Sequence, residues 1–281
     1  MFKTAFSTVS CWDWTLDQVC RSAAEWGYDG IEMRTFGAGS TQFACDPALT
    51  SDEKVRRILG QNGIEPAVLA SSVGFGEPIR PPVLGRVFRD TERSVREAKG
   101  VIELAARLEC PLVRVFGFEY PRTEKRKSAL RRITERLSLA ADAARNTGVR
   151  IVVENGGSFN SAEDLNELVR GVNSNLVGAA YSVSVGAAAD DDPAEAVTLL
   201  GDRLWVCKLR DRDDDHRLRP IGEGTVPCRT FVEALAKAEF SGWMVVEWDR
   251  AWVPGLAAAE TVLPGTLERI YEWSGMRVAI H

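Results

Sequence analysis

Two glutamates close apolar runs of strand length in this chain. Glu154 follows Ile151-Val152-Val153, and Glu247 follows Met244-Val245-Val246. Carboxylates at two strand ends could exchange protons with a carbon beside a carbonyl, or share a divalent cation. Between them in sequence lie two further apolar runs, which end at Ser182 and at Lys208. A charge inside such a run is costly to bury unless partners surround it. Glu154, Lys208 and Glu247 together predict a carboxylate–ammonium–carboxylate cluster. Three ionisable groups at equivalent strand ends point to a working site more than to a structural ion pair. Glu32 and Arg34, two apart on an earlier run, are candidates to touch a ligand there, as are Trp12 and Trp248 from the segments after the first and last runs.

The elements that must position these groups are legible. Strand-length runs fall at 3–9, 29–33, 64–70, 112–117, 149–154, 176–182, 204–209 and 243–248. Helical periods lie between them, such as Leu16-Val19-Cys20-Ala23-Ala24 and Leu130-Ile133-Leu137-Ala140-Ala141-Ala144. Gly27, Gly63, Gly148 and Gly242 stand just before strands, as helix-ending glycines do. Ser161 and Asp164 resemble a helix-starting box, and a last helix is expected at about 256–272. Eight strands each followed by a helix predict a (β/α)8 TIM barrel, with residues 1–281 as a single domain. An open doubly wound sheet would need a glycine-rich loop after the first strand, and residues 8–14 hold no glycine. In a barrel, catalytic groups gather at the C-terminal strand ends, where Ser182, Lys208 and the two glutamates sit. The glycine- and proline-flanked loop 74–82 reads as a lid.

Composition sets the bounds. A net charge of −5 gives no nucleic-acid footprint. No run of eighteen apolar residues suggests a membrane span. Met1-Phe2-Lys3-Thr4 enters a strand without an apolar leader, and the six cysteines are scattered without a CxxC pair. The expectation is a reduced, cytoplasmic protein with a small-molecule substrate, no nucleic-acid partner and no membrane.

Four motifs carry a resemblance that covers nearly the whole chain. Gly27-Tyr28-Asp29-Gly30-Ile31-Glu32, Val152-Val153-Glu154-Asn155, Gly222-Glu223-Gly224-Thr225-Val226 and Phe240-Ser241-Gly242-Trp243-Met244-Val245-Val246-Glu247 occur in this order at barrel spacing. Together they resemble the sugar phosphate isomerase/epimerase family, the xylose isomerase-like TIM barrels. The resemblance implies one divalent metal held by Glu, Asp, His and Glu, with the two glutamates as acid and base. Glu154 and Glu247 match those glutamates. Ser182 stands where the aspartate belongs, and Lys208 where the histidine belongs. Arg219 resembles the substrate-contacting arginine before the glycine turn. Family barrels also form dimers or tetramers, so a homo-oligomer is open.

The departures set the expectation. A protonated lysine has donors and no lone pair, and serine is a poor neutral ligand. No metal and no other cofactor is expected; the alternative is one divalent cation, Mn or Mg, at Glu154 and Glu247. The reading is a metal-independent isomerase, epimerase or lyase acting by proton transfer next to a carbonyl of a sugar-like or cyclic polyol or natural-product substrate. Lys208 would replace the metal. A Schiff base at Lys208 ranks below this, because flanking carboxylates oppose the depressed pKa it needs. The alternative is a catalytically inactive barrel that binds a ligand or a partner protein.

Overall fold

A computed structural model of the protein describes residues 1–77, 93–117 and 119–276. The eight strands are β1 (Lys3–Ser7), β2 (Gly30–Arg34), β3 (Glu65–Gly74), β4 (Leu112–Phe116), β5 (Arg150–Glu154), β6 (Val177–Ser182), β7 (Leu204–Leu209) and β8 (Trp243–Val246). All pair in parallel and close on themselves, β8 beside both β7 and β1. Helices α1 (Leu16–Trp26), α2 (Asp52–Asn62), α3 (Arg93–Arg107), α4 (Arg126–Ala144), α5 (Ala162–Val172), α6 (Pro193–Leu200), α7 (Cys228–Lys237) and α8 (Ala259–Ser274) follow the strands in turn. A (β/α)8 barrel is therefore the fold.

Two apolar layers hold it. The larger lies between sheet and helices and includes Phe6, Ile31, Leu69, Ile133, Leu165 and Phe231. The smaller includes Ala5, Val68, Leu112, Val152, Ala180, Val206, Trp243 and Val245. Side chains two apart on a strand share a face. Ser7, Arg114, Glu154, Ser182, Lys208 and Glu247 each stand two residues beyond a member of this small cluster. The barrel interior thus ends in an apolar plug, and the next layer towards the C-terminal mouth is polar.

Local signals explain most boundaries. Ser161 Oγ accepts from the Asp164 amide at 3.1 Å and starts α5. Gly27 and Gly63 end α1 and α2 at positive φ. Gly242 differs: α7 ends instead at Ala238, with Glu239 in the left-handed region. A β-carbon at Gly242 would collide with the Trp205 carbonyl oxygen and the Phe240 ring. β1 stops at Ser7, short of the expected 9, because Thr8–Cys11 turn into a 3-10 helix. There Thr8 Oγ1 accepts the Arg34 amide at 2.9 Å, which ties this turn to the end of β2. β3 runs on to Gly74 through a register shift beyond Ala70. The segment that follows is held down from α4: Arg136 donates to the Phe75 carbonyl at 2.8 Å and Arg132 to the Glu77 carbonyl at 2.9 Å. Of the expected lid, residues 78–82 lie outside the described residues. Among the described residues no helix is long and apolar enough to cross a membrane, and all six cysteines are free and buried.

Gly242→Ala should therefore cost about 1–3 kcal/mol as an overpacking change against fixed backbone. Urea denaturation would measure this, and an unchanged midpoint would refute the close approach.

Candidate active site at the barrel mouth

Lys208 is the centre of the polar layer. Its side chain is 0 % exposed, and its ammonium nitrogen meets Glu247 Oε1 at 2.5 Å, Glu32 Oε1 at 3.1 Å and Glu154 Oε2 at 3.2 Å. An ammonium has three donors, and here three carboxylates from β2, from β5 and from the residue after β8 take them. Burial alone pushes this amine down. The charges of Glu154, Glu247 and Glu32 outweigh burial and hold it above the usual lysine value. Lys208 is therefore a fixed cation at neutral pH.

Two arginines flank the cluster. Arg114, inside β4, reaches Glu154 Oε2 with Nε at 3.2 Å and donates to the Ser71 carbonyl at 2.9 Å. Arg210, just past β7, reaches Glu247 Oε2 at 2.5 Å and Asp249 Oδ2 at 3.2 Å. The two glutamates are consequently unequal. Both oxygens of Glu247 are engaged. Burial would raise its pKa, but Arg210 and Lys208 hold the carboxyl well below the ordinary range. Glu154 meets Lys208 and Arg114 through Oε2; among the described residues Oε1 accepts no hydrogen bond. Burial, opposed by Arg210 and reinforced by Glu247, pushes Asp249 up to about 6. Glu32 Oε2 and Ser7 Oγ are buried without a hydrogen bond, and their residues are register partners across β1 and β2.

The sequence-derived candidates separate into those the fold brings together and those it does not. Glu154, Lys208, Glu247 and Glu32 meet directly. Arg34 closes β2 two residues beyond Glu32, bonded to the Ala70 carbonyl at 3.0 Å and to Ser72 Oγ. Ser182 is buried beside Lys208 in register, but its hydroxyl pairs with Ser184 at 3.2 Å. Its amide is held by Asn155 at 2.7 Å. Trp248 is buried and donates to the Ala257 carbonyl at 2.9 Å, so it packs the loop after β8. Trp12 is 39 % exposed and stacks near Phe43 at the rim. Arg219 lies on the two-stranded hairpin Asp211–Arg212 and Leu218–Arg219, where Asp213 engages its Nη2 at 2.7 Å. Asp213 also accepts amides of its own turn, so the acidic loop is a self-bonded turn.

Arg114, Arg210 and Asp249 were not singled out by sequence. The signal was parity. Arg114 interrupts the apolar run Leu112–Phe116, while Arg210 and Asp249 stand two residues beyond Lys208 and Glu247.

With a closed parallel barrel of eight strands, the molecule is of the TIM barrel class. The chain belongs to the xylose isomerase-like TIM barrel family, whose model matches residues 20–271. Comparison with curated proteins gives no match. Among solved structures it is similar to an L-ribulose 3-epimerase, with 13% identity, a TM-score of 0.80 and coverage of 98% of this chain and 95% of that one. It is similar to the IOLI protein with a bound zinc atom, with 20% identity, a TM-score of 0.77 and coverage of 97% and 99%. It is also similar to a probable 3-DHS dehydratase from Bacillus anthracis, with 12% identity, a TM-score of 0.75 and coverage of 95% and 98%. At these identities the likeness concerns the fold.

Lys208→Met should destabilise the protein by about 3–5 kcal/mol, because it leaves three buried carboxylates facing one another. The sign with pH follows from linkage. Lysine has its pKa raised on folding, so its contribution is full below the unfolded value and is lost as pH rises past it. In the variant the crowded acids would be raised instead, so its deficit should be smaller near pH 5 than near pH 8. Urea denaturation of both proteins at the two pH values measures this; a pH-independent deficit would contradict the cluster.

Asp249 should titrate near 6. With its folded value raised above the ordinary aspartate value, its contribution to stability is present below the ordinary value and lost as pH rises through about 6. Carbon-13 NMR of the carboxyl groups should show that step, absent in Asp249→Asn.

Proposed function

We propose that this chain catalyses proton transfer next to a carbonyl without a metal, as an isomerase, epimerase or lyase on a sugar-like or cyclic polyol substrate. The observation that carries this is the Lys208 ammonium set among three carboxylates at the barrel mouth. The family's fold implies a divalent cation there, and the residues do not fit one. The position that would offer a histidine lone pair carries a cation, and a dication would meet direct repulsion from it. Among the described residues no group of three or more His, Cys, Asp or Glu is arranged to hold a metal ion. The carboxylates are also already answered: Glu32, Glu154 and Glu247 meet Lys208, Glu154 meets Arg114 as well, and Glu247 and Asp249 meet Arg210. The L-ribulose 3-epimerase and the probable dehydratase give the superfamily context for such proton chemistry.

The inequality of the glutamates assigns roles. Glu154 is the proton acceptor, through Oε1, which accepts no hydrogen bond from the described residues. Glu247, held anionic by Lys208 and Arg210, is the anchor. Removing a proton from the carbon leaves negative charge on the substrate oxygen while the charge on Glu154 disappears. Arg114 loses its carboxylate partner at that moment and Lys208 one of its three, and both can turn charge towards the new oxyanion. The ammonium stays protonated throughout, which disfavours a Schiff base. With one working carboxyl, the proton leaves and returns on a single face. This favours an isomerisation or a same-side elimination over epimerisation between two bases.

The second reading is a ligand-binding barrel without turnover. The same closed ionic set favours it, because all three Lys208 donors are already used.

A thermal-shift screen over sugars, keto acids and aromatic polyols, followed by turnover assays on each hit, tests both. Activity should survive exhaustive chelation and fall by about 10²-fold or more in Glu154→Gln. Chelator-sensitive activity restored by manganese would overturn the metal-free mechanism. Binding without turnover of any hit would favour the second reading.

A further inference from the structure

Among the described residues Arg34 is the cation of this mouth that has no carboxylate at ion-pair distance. It closes β2 and is 8% exposed. Its guanidinium carbon lies 4.5 Å from the Phe36 ring centroid. One terminal nitrogen donates to the Ala70 carbonyl at 3.0 Å and the other to Ser72 Oγ. Across β3, Arg114 repeats the arrangement: it donates to the Ser71 carbonyl at 2.9 Å and stacks 4.4 Å from Phe116. Two guanidiniums thus flank the end of one strand. Arg114 has Glu154. Lys208 has three carboxylates, and Arg210 has two. Among the described residues, no carboxylate lies within the 4.0 Å of an ion pair with Arg34.

We propose that Arg34, with Arg114 beside it, seats an oxyanion group of the substrate, a carboxylate or a phosphate. This deepens the proton-transfer reading and rests on the mouth being a substrate site. A guanidinium carries five donors, and the two bonds from Arg34 leave donors for a ligand. Stacking on Phe36 and the Ala70 and Ser72 bonds fix the plane of the fork, so little side-chain freedom is lost when a planar or tetrahedral oxyanion docks in two-pronged fashion. Burial and the like charge of Arg114, opposed in part by the more distant charges of Glu32, Asp46 and Glu154, push the Arg34 guanidinium down to about 10, so it remains charged at neutral pH. A bound anion relieves both effects. Phe36 also packs edge-on to Phe43 at 5.1 Å and to Trp252 at 6.2 Å. The seat therefore borders an aromatic wall, half-open at Trp252, which suits a sugar acid, a sugar phosphate or a hydroxylated ring acid over a neutral free sugar.

The test reads the arginine itself. Arg34 side-chain nitrogen resonances are followed by NMR at pH 7 and constant ionic strength while inorganic phosphate, acetate or neutral glucose is added. Phosphate or acetate should shift the Arg34 signal saturably, with the tighter of the two reporting which oxyanion the seat prefers, and glucose should not. Arg34→Gln should weaken the anion's affinity about tenfold or more. Glu154→Gln should keep a saturable shift, because Arg34 and its bonds to Ala70 and Ser72 remain while Arg114 loses its carboxylate partner and the proton acceptor is gone; that variant separates failure of the seat from failure of the proton-transfer reading. An Arg34 signal that moves with neither anion, or only linearly with added salt, overturns the proposal. So does equal affinity in Arg34→Gln. Should that variant not fold, the wild-type resonance decides alone.

Discussion

The mouth of this barrel depends on one ammonium group held in a dry place by three acids. Moving a single charge from water into the interior costs several kcal/mol even after relaxation. One opposite charge at 4 Å returns about 4 kcal/mol at an effective dielectric near 20. A lysine with a single partner would therefore roughly break even. Lys208 has Glu32, Glu154 and Glu247, and the balance turns clearly towards the charged form. The acids depend on the lysine just as strongly, since three carboxylates converging on one point would otherwise repel. Four strand ends, from β2, β5, β7 and β8, are thus joined through one nitrogen atom.

The period of the β-strand turns this contact into a layered site. Below the cluster, Val152, Val206 and Val245 fill the barrel with apolar volume. Two residues on, the same face presents Glu154, Lys208 and Glu247. Two residues further, the chain supplies Arg210 over Lys208 and Asp249 over Glu247, and Arg34 follows Glu32 in the same way. Opposite charges therefore alternate around the wall, while up it cation stands over cation after β7 and anion over anion after β8; only on β2 does the sign change, from Glu32 to Arg34. The apolar plug keeps water from the lower side, and this sharpens every interaction above it.

Much of this arrangement is written in the chain. Strand count, barrel closure and the Glu154–Lys208–Glu247 cluster follow from apolar runs that end in charge. The start of α5 follows from Ser161, and the ends of α1 and α2 from Gly27 and Gly63. What escaped was three-dimensional. Arg114 sits mid-run, where a charge reads as an interruption, and only closure of the barrel turns it towards Glu154. Arg219 matches a motif, yet the hairpin that carries it gives its guanidinium to Asp213. Gly242 occupies a helix-ending position in the sequence pattern, but a close backbone approach from Trp205 is what requires it. The inequality of Glu154 and Glu247 is equally invisible in sequence, because it comes from which oxygens the neighbouring arginines reach.

A lysine in place of a dication, as proposed for this site, would change what it can do, beyond its charge. A divalent ion accepts several oxygens at once and can polarise a carbonyl while still holding its carboxylates. An ammonium has three N–H bonds, and here all are committed. A substrate oxygen can gain the charge of Lys208 only as a carboxylate gives it up. Glu154 gives it up when it takes a proton, because a neutral acid is a poor partner for a cation. On the proposed mechanism, proton movement and oxyanion stabilisation are therefore one event at this mouth. That coupling suits chemistry in which a single proton leaves carbon and negative charge appears on a nearby oxygen. It gives little help to reactions that must hold two oxygens of a substrate before any proton has moved.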